Sequence, residues 1–400
     1  MNMETISLKE AVCKVIDNRG KTVPTVDIGI PLIATNCINN HTLYPIYENL
    51  RYVSEEIFHS WFRGHPKPND IILTLKGSQN GAVNLVPNKV DFCIAQDMVA
   101  LRTDETKIDN LFLFAALRSS YVQYQIKNLD VSGVIPHLKK SDFDKLEIPL
   151  PPRRIQKFIG KLYFNLSKKI DLLQRQNQTL EQMAATLFRQ WFIEEAQEDW
   201  EELTLDKIVS HFIDYRGKTP SKSDNGIPLV TAKIVKNGRI KTPTEFIAEE
   251  DYASWMTRGM PELNDVVLTT EAPLGEVALI RNTNVALAQR IITMRCNKSK
   301  FDNVLLKYFL LSDEGQYELD SRASGTTVFG IKASVLKKLP IKLPSLAEQK
   351  VITSQLNLLE DKMHSNEVQI SILENMRDTL LPKLISGEVR LKGFETVLQA

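Results

Sequence analysis

The stretch DYRGKTP, Asp214 to Pro220, ends in a Gly-Lys-Thr, and so does DNRGKTV, Asp17 to Val23. Gly-Lys-Thr closes a phosphate-binding P-loop, but that loop also needs an earlier glycine so that its backbone can wrap the phosphates. The positions that should carry it hold Val15 and Phe212, and a proline follows soon after, which opposes a helix start. The phrase therefore matters because it occurs twice. DNRGKT and DYRGKT are 197 residues apart, as are GIPL (29–32) and GIPL (226–229). YVSEE…SW (52–61) matches FIAEE…SW (246–255), and NDIILT (69–74) matches NDVVLT (264–269). AQ (95–96) matches AQ (288–289), QY (123–124) matches QY (316–317), and KLEIPLP (145–151) matches KLPIKLP (338–344), all at an offset of 193. Order is kept and the offset drifts only slightly, so one unit of roughly 195 residues is written twice.

Each unit has two parts. In the first, NDIILTL and NDVVLTT predict buried strands opened by an Asn-Asp turn. LFLFAALRSSYVQYQ and VLLKYFLLSDEGQYE predict amphipathic helices, so an α/β or α+β globule is expected. The second part is a long helix with a heptad seam. In copy one the seam runs Ile159, Tyr163, Leu166, Ile170, Leu173, Asn177, Leu180, Ala184, Leu187, Trp191. In copy two it runs Ile352, Leu356, Leu359, Met363, Asn366, Ile370, Leu373, Arg377, Leu380, Leu384. The helix-pairing residues expected from it are Ile159, Leu166, Ile170, Leu173, Leu180 and Leu187 with Ile352, Leu359, Met363, Ile370, Leu373 and Leu380. An antiparallel pair of such helices would place the globules at opposite ends. Asn177 and Asn366 are open to two readings, a buried register-fixing pair or solvent-facing side chains. Ser345 and Glu348 form a capping box at the second helix start. Copy one has Pro152 and Ile155 there, and Arg153 and Arg154 fill a first turn where the helix dipole disfavours cations. Those arginines either meet an anionic partner or are simply exposed.

Length and composition set wide bounds. Four hundred residues imply more than one domain, and the composition, 43% hydrophobic and 25% charged, is that of an ordinary globular chain. No apolar run approaches a membrane span, and MNMETISLKEAV does not read as a secretory signal. The four cysteines are scattered without a CxxC pair, which fits a reduced, cytoplasmic protein. Net charge is only +1, yet Asp214 to Lys241 carries seven bases against two acids beside an acidic stretch, Glu194 to Asp206. That pattern suits either an anionic partner or a charged, solvated surface.

Catalytic motifs are missing. The only Pro-Pro is Pro151-Pro152, with Leu150 before and Arg153 after, and no Gly-rich loop accompanies it. Base-amino methyl transfer therefore lacks its loops. Asp265 and Glu271 are spaced as in a nuclease, but Pro273 stands two residues on, and copy one offers Asp70 with Lys76 and no second acid. The histidines form no metal-ligand spacing, and no Gly-x-Ser-x-Gly elbow occurs. A duplicated protein that recognises something fits better than an enzyme, and neither cofactor nor metal is expected.

A globule ending in IPLP or IKLP, then a long helix opened by PSLAEQ, all repeated, resembles the specificity subunit of type I restriction-modification systems. RGKTP followed by GIPLVTAKIVKNGRI, the run SGTTVFGIKASVLKKLPIKLPSLAEQ and the C-terminal LLPKLISGEVRL carry the resemblance over nearly the whole chain. PPRRIQ departs from it by lacking the Glu that precedes Gln in PSLAEQ. The resemblance implies an α+β chain with an internal pseudo-twofold repeat, in which two α/β target recognition globules are separated by a pair of long antiparallel coiled-coil helices. The corresponding boundaries are 1–150 and 197–343 for the globules and 151–196 and 344–400 for the helices and C-terminal tail. It further implies a non-catalytic partner of double-stranded DNA and of two adenine-methyltransferase (modification) subunits, with restriction subunits joining them. Each globule would read half of a split, asymmetric site, and the helix pair would set the spacer.

Loops are the expected DNA contacts. In copy one they offer Arg19, Lys21, Thr22, Asn36, Asn39, Gln79, Asn80, Ser132, His137 and Lys139. In copy two they offer Arg216, Lys218, Thr219, Lys233, Lys236, Arg239, Arg322, Ser324, Thr326 and Thr327. Arg pairs with guanine and Asn or Gln with adenine through two hydrogen bonds, while Lys and hydroxyls suit phosphate. Each of these residues is equally readable as a turn former or a solvated side chain. Two other readings stay open: a recognition subunit of a related defence system, and an interaction scaffold that never touches DNA.

Overall fold

The computed structural model of the chain describes residues 4–18, 20–129, 135–215, 217–325 and 329–385. They fall into two compact units, 1–175 with 367–400, and 176–366. Each unit therefore takes one globule, part of the helix Arg153–Arg189 and part of the helix Leu346–Ile385.

The two globules share a topology. In the first, Ile71–Thr74 lies between Val83–Leu85 and Met98–Thr103, and Val12–Asp17 adds beyond the latter, all antiparallel. In the second, Val266–Thr270 lies between Leu274–Leu279 and Ile291–Cys296, with Val209–Asp214 beyond. A smaller sheet accompanies each: Ile30–Ile33 between Arg51–Val53 and Cys93–Ile94, and Ile227–Val230 between Phe246–Ile247 and Ala286–Leu287. The central strands are buried on both faces. Ile71 and Leu73 enter one core and Ile72 another, as Val266 and Leu268 do opposite Val267.

The Asn-Asp turn before each central strand has a physical cause. Asn69 and Asn264 adopt left-handed backbone, φ 68° and 67°, a conformation asparagine tolerates. The next carboxylate is buried and fully used. Asp70 accepts from Lys67 N at 2.8 Å and from the Arg102 guanidinium at 3.0 and 2.9 Å. Asp265 accepts from Glu262 N at 2.8 Å and from Arg295 at 2.8 Å on each oxygen. A nuclease role for Asp265 thus has no free carboxylate to rest on.

The long helices complete the globule cores. Ile159, Tyr163, Leu381, Leu384 and Ile385 share a core with the first sheet and with helix Asn110–Arg118. Gly160 permits the close approach, since a Cβ there would sit 2.5 Å from Phe112 N. Ala184, Phe188, Ile352 and Leu356 do the same in the second unit. Seam residues Ile159, Ile170, Leu173, Ile352 and Met363 are buried, and Leu166, Leu180, Leu187, Leu359, Ile370, Leu373 and Leu380 are half-buried. Both helix starts are tied down by one glutamine. Gln156 Nε2 donates to Pro151 O at 2.8 Å while its Oε1 accepts from Asp109 N at 2.9 Å. Gln349 Nε2 donates to Pro344 O and Lys300 O, both at 3.0 Å. The capping box is formed, Ser345 N to Glu348 Oε2 at 2.8 Å and Glu348 N to Ser345 Oγ at 3.4 Å. Arg153 donates from Nη2 to Glu105 O at 2.8 Å, so it serves the globule, whereas Arg154 is exposed.

Asn177 and Asn366 are both buried and meet each other. Asn366 Nδ2 donates to Asn177 Oδ1 at 2.7 Å, and Asn177 Nδ2 donates to Met363 O at 3.2 Å. With 177 beside 363 and 366, and 184 and 188 sharing a core with 352 and 356, the helices run antiparallel within this unit.

A buried ionic cluster joins the second globule to the second helix. Lys307, 2% exposed, pairs with Glu360, which also accepts from Tyr308 Oη at 2.6 Å and lies 3.4 Å from Arg281 Nη2. Burial alone would raise the Glu360 pKa, but Lys307, Tyr308 and Arg281 outweigh it and hold the carboxyl below the ordinary glutamate range. The repeat-equivalent positions in copy one carry Phe114, Ala115 and Ser167.

Two outcomes follow from these contacts. Asn366→Leu alone leaves Asn177 half-satisfied and should lower stability by about 1–3 kcal/mol in urea unfolding, while the double change to Leu should cost much less. Equal and additive losses would contradict the pair. Glu360→Ala should cost about 3–5 kcal/mol by leaving Lys307 buried and unpaired. Because its folded pKa is depressed, the Glu360 contribution is present above about pH 4.3 and disappears as pH falls through the lower folded value. Urea titrations at stepped pH should therefore show Glu360→Gln to be less acid-sensitive than the parent.

Candidate nucleic-acid interface

Strand register decides which loops meet. Asp17 pairs with Val99 and Thr74 with Met98. The loops after Asp17 and Thr74 and the turn before Met98 therefore leave the sheet at one end. Asp214 pairs with Ile292 and Thr269 with Ile291, so the second unit gathers the same loops. A fourth segment is added by backbone bonds. Gly77 N donates to Pro136 O at 3.0 Å and Leu138 N to Leu75 O at 2.8 Å. In the second unit Ile331 N donates to Thr270 O at 3.0 Å, and Glu271 bridges to Gly330. Each unit thus presents its Gly-Lys-Thr, the loop after the central strand, the AQ turn and a C-terminal loop at one sheet end.

Several expected residues lie there. Lys21 and Thr22 are exposed, and Gln96 Nε2 donates to Thr22 Oγ1 at 3.4 Å. Lys218 and Thr219 are exposed beside Gly217, whose φ of 81° suits glycine. Tyr215 anchors that turn: its buried hydroxyl donates to Gly259 O and accepts from Arg258 N, both at 3.1 Å. Gln79 is exposed, and Asn80 Oδ1 accepts from Leu138 N at 3.3 Å. His137 is half-buried opposite Lys76, Lys139 is exposed, and exposed Ser324 pairs through its backbone with Gly330. Arg19, Ser132, Arg216, Thr326 and Thr327 fall outside the described residues.

Other expected residues have structural partners. Arg239 is turned inward, 12% exposed, with Nη2 2.8 Å from Met363 Sδ and 4.0 Å from Glu181. Its hairpin, Val235–Ile240, rests on the first long helix, where a Cβ on Gly238 would lie 2.8 Å from Glu181 Oε1. Arg322 is ion-paired to Glu318 one helical turn back. Asn39 Oδ1 accepts from His41 N, Thr42 N and Thr42 Oγ1 at 2.8, 2.9 and 3.2 Å. With that oxygen committed to its own turn, Asn39 lacks the acceptor half of a two-bond contact with adenine. Asn36 Nδ2 donates to Glu48 O at 3.2 Å, and exposed Lys233 lies 3.8 Å from Glu245. Lys236 is exposed on the hairpin.

The sheet end also includes residues that the sequence did not mark as DNA contacts: Lys76, Gln96, Asp97 and Lys140 in the first unit, and Glu271, Gln289 and Arg290 in the second. Lys140 is ion-paired to Asp17. The doubled AQ was a signal for Gln96 and Gln289, because a dipeptide kept at a strand start on both copies marks a shared turn.

Among the described residues, no group of three or more His, Cys, Asp or Glu is placed to hold a metal ion, and no helix is long and apolar enough to cross a membrane. One loop constellation, built twice on one scaffold with different side chains, defines a paired recognition protein. A sequence profile described as the type I restriction modification DNA specificity domain matches residues 2–182 and 197–375, and the chain belongs to that family. It is 25% identical over 348 residues to the type I restriction enzyme MjaVIII specificity subunit of Methanocaldococcus jannaschii, covering 82% of this chain and 80% of the relative. It is 20% identical to the EcoKI specificity subunit of Escherichia coli K12, covering 90% and 82%. The crystal structure of the type I restriction-modification S subunit from M. genitalium shares the fold, with a TM-score of 0.58 at 18% identity over 96% of both chains.

Proposed function

We propose that this chain is the DNA-recognition subunit of a cytoplasmic type I restriction-modification complex, and that each unit reads one half of a bipartite, asymmetric site with its gathered sheet end. The chain itself carries no chemistry. Adenine methylation comes from two bound methyltransferase subunits, and cleavage from restriction subunits that join them. The observation that carries this reading is the repetition of the four-segment sheet end with altered side chains, which suits two half-sites of different sequence. Exposed Lys21, Thr22, Lys218 and Thr219 supply phosphate contacts that hold register, while the variable loops supply base contacts. The two helices cross from one unit's residues into the other's without a break, which suits a ruler for the gap between half-sites.

Binding of duplex DNA by the chain with its methyltransferase should fall steeply with salt through counterion release. Lys218→Ala should weaken cognate and unrelated duplexes alike and lower the log-log salt slope by about 1. A flat salt dependence would count against this interface. Seven residues inserted after both Arg175 and Asn366 add about 10 Å of helix, close to three base pairs. The methylated motif should then keep its halves and widen its gap; altered halves with an unchanged gap would contradict the ruler.

A further inference from the structure

The two sheet ends differ most sharply at one pair of positions. In each unit the turn before the returning strand holds a non-glycine residue in left-handed backbone, Asp97 at φ 70° and Arg290 at φ 71°. Its carbonyl accepts from the central strand, from Leu75 N at 2.8 Å and Thr270 N at 2.9 Å. The sheet therefore fixes both backbones alike. The position just after the central strand carries Lys76 in the first unit and Glu271 in the second, so the charges are exchanged between the copies. Arg290 Nε lies 3.0 Å from Glu271 Oε1. Among the described residues Asp97 forms no ion pair with Lys76.

Glu271 is itself held. It bridges to Gly330, where a Cβ would sit 3.0 Å from Glu271 Cβ and 2.9 Å from Thr270 O. The Arg290 and Glu271 side chains are 53% and 41% exposed, and ion pairs that open to water add little to stability. Nor does the fold need an arginine at this turn, because Asp97 makes the same turn in the other copy. What the pair does is aim a guanidinium. The carboxylate lies beside Nε, and among the described residues neither Nη group has a hydrogen-bond partner. Two parallel N–H donors match O6 and N7 of guanine.

The geometry points to Arg290 as the guanine-reading side chain of the second unit, with Glu271 as its positioning residue. Asp97 offers only acceptors at the equivalent place, so the first half-site has no matching guanine contact there. This assignment rests on the reading of the sheet end as the DNA interface.

The test is to sequence the methylated positions left by the full chain with its methyltransferase, for the parent, Arg290→Ala, Arg290→Lys and Glu271→Gln. Both Arg290 variants should relax one G·C position of one half-site, with discrimination falling roughly 10- to 100-fold there and the other half-site unchanged. Arg290→Lys keeps the charge and guards against a folding failure. Glu271→Gln should relax the same position more weakly, with an unchanged melting temperature. An unchanged motif, or uniformly reduced methylation with no relaxed position, would overturn the assignment and leave the DNA interface standing. A parent that writes no motif would overturn both.

Discussion

Each globule depends on a long helix to close its core. The inner face of the four-stranded sheet presents Ile71, Leu73, Val99 and Leu101 in the first unit and Val266, Leu268, Ile292 and Met294 in the second. Neither face is closed by its own short helices alone. Ile159, Tyr163, Leu381 and Leu384 pack into one core, and Ala184, Phe188, Ile352 and Leu356 into the other. A fully buried side chain of this size contributes about 1.5–3 kcal/mol, so the shared surface weighs heavily in each unit. The loops borne at the sheet end are thereby coupled to the helix beneath the sheet.

The copies solve that attachment differently. The second unit buries Lys307 against Glu360, with Tyr308 and Arg281 completing the hydrogen bonds. The first puts Phe114 edge-on to Tyr163, with Arg377 over the Tyr163 ring. The second unit thus uses a buried ion pair where the first uses an aromatic pair covered by a guanidinium. The asymmetry between the halves thus extends from the loops into the cores.

Much of this was legible in the sequence because the relevant signals are local or periodic. The doubled NDIILT and NDVVLT announced central strands, and the heptad seams announced the helices. Asn177 and Asn366 stood out as polar breaks in apolar rows, although only the structure shows them buried and bonded to each other. The composition of the sheet end was less legible, because it is set by strand register between residues far apart in sequence. Arg239 looked like a DNA contact from its basic neighbourhood, but its hairpin packs on the helix and turns the guanidinium toward Met363. Asn39 looked like a base reader until its own turn consumed the oxygen. Arg290 gave no signal and Glu271 stood out only for its spacing from Asp265, since their pairing depends on a left-handed turn meeting the end of another strand.

Sequencing the methylated bases in cells that express this chain with its methyltransferase asks whether one scaffold, used twice, reads two different halves of one DNA site. Adenine methylation is expected within a motif of two unequal halves separated by a fixed gap of unspecified bases. An uninterrupted motif, two identical inverted halves, or no motif at all would contradict it.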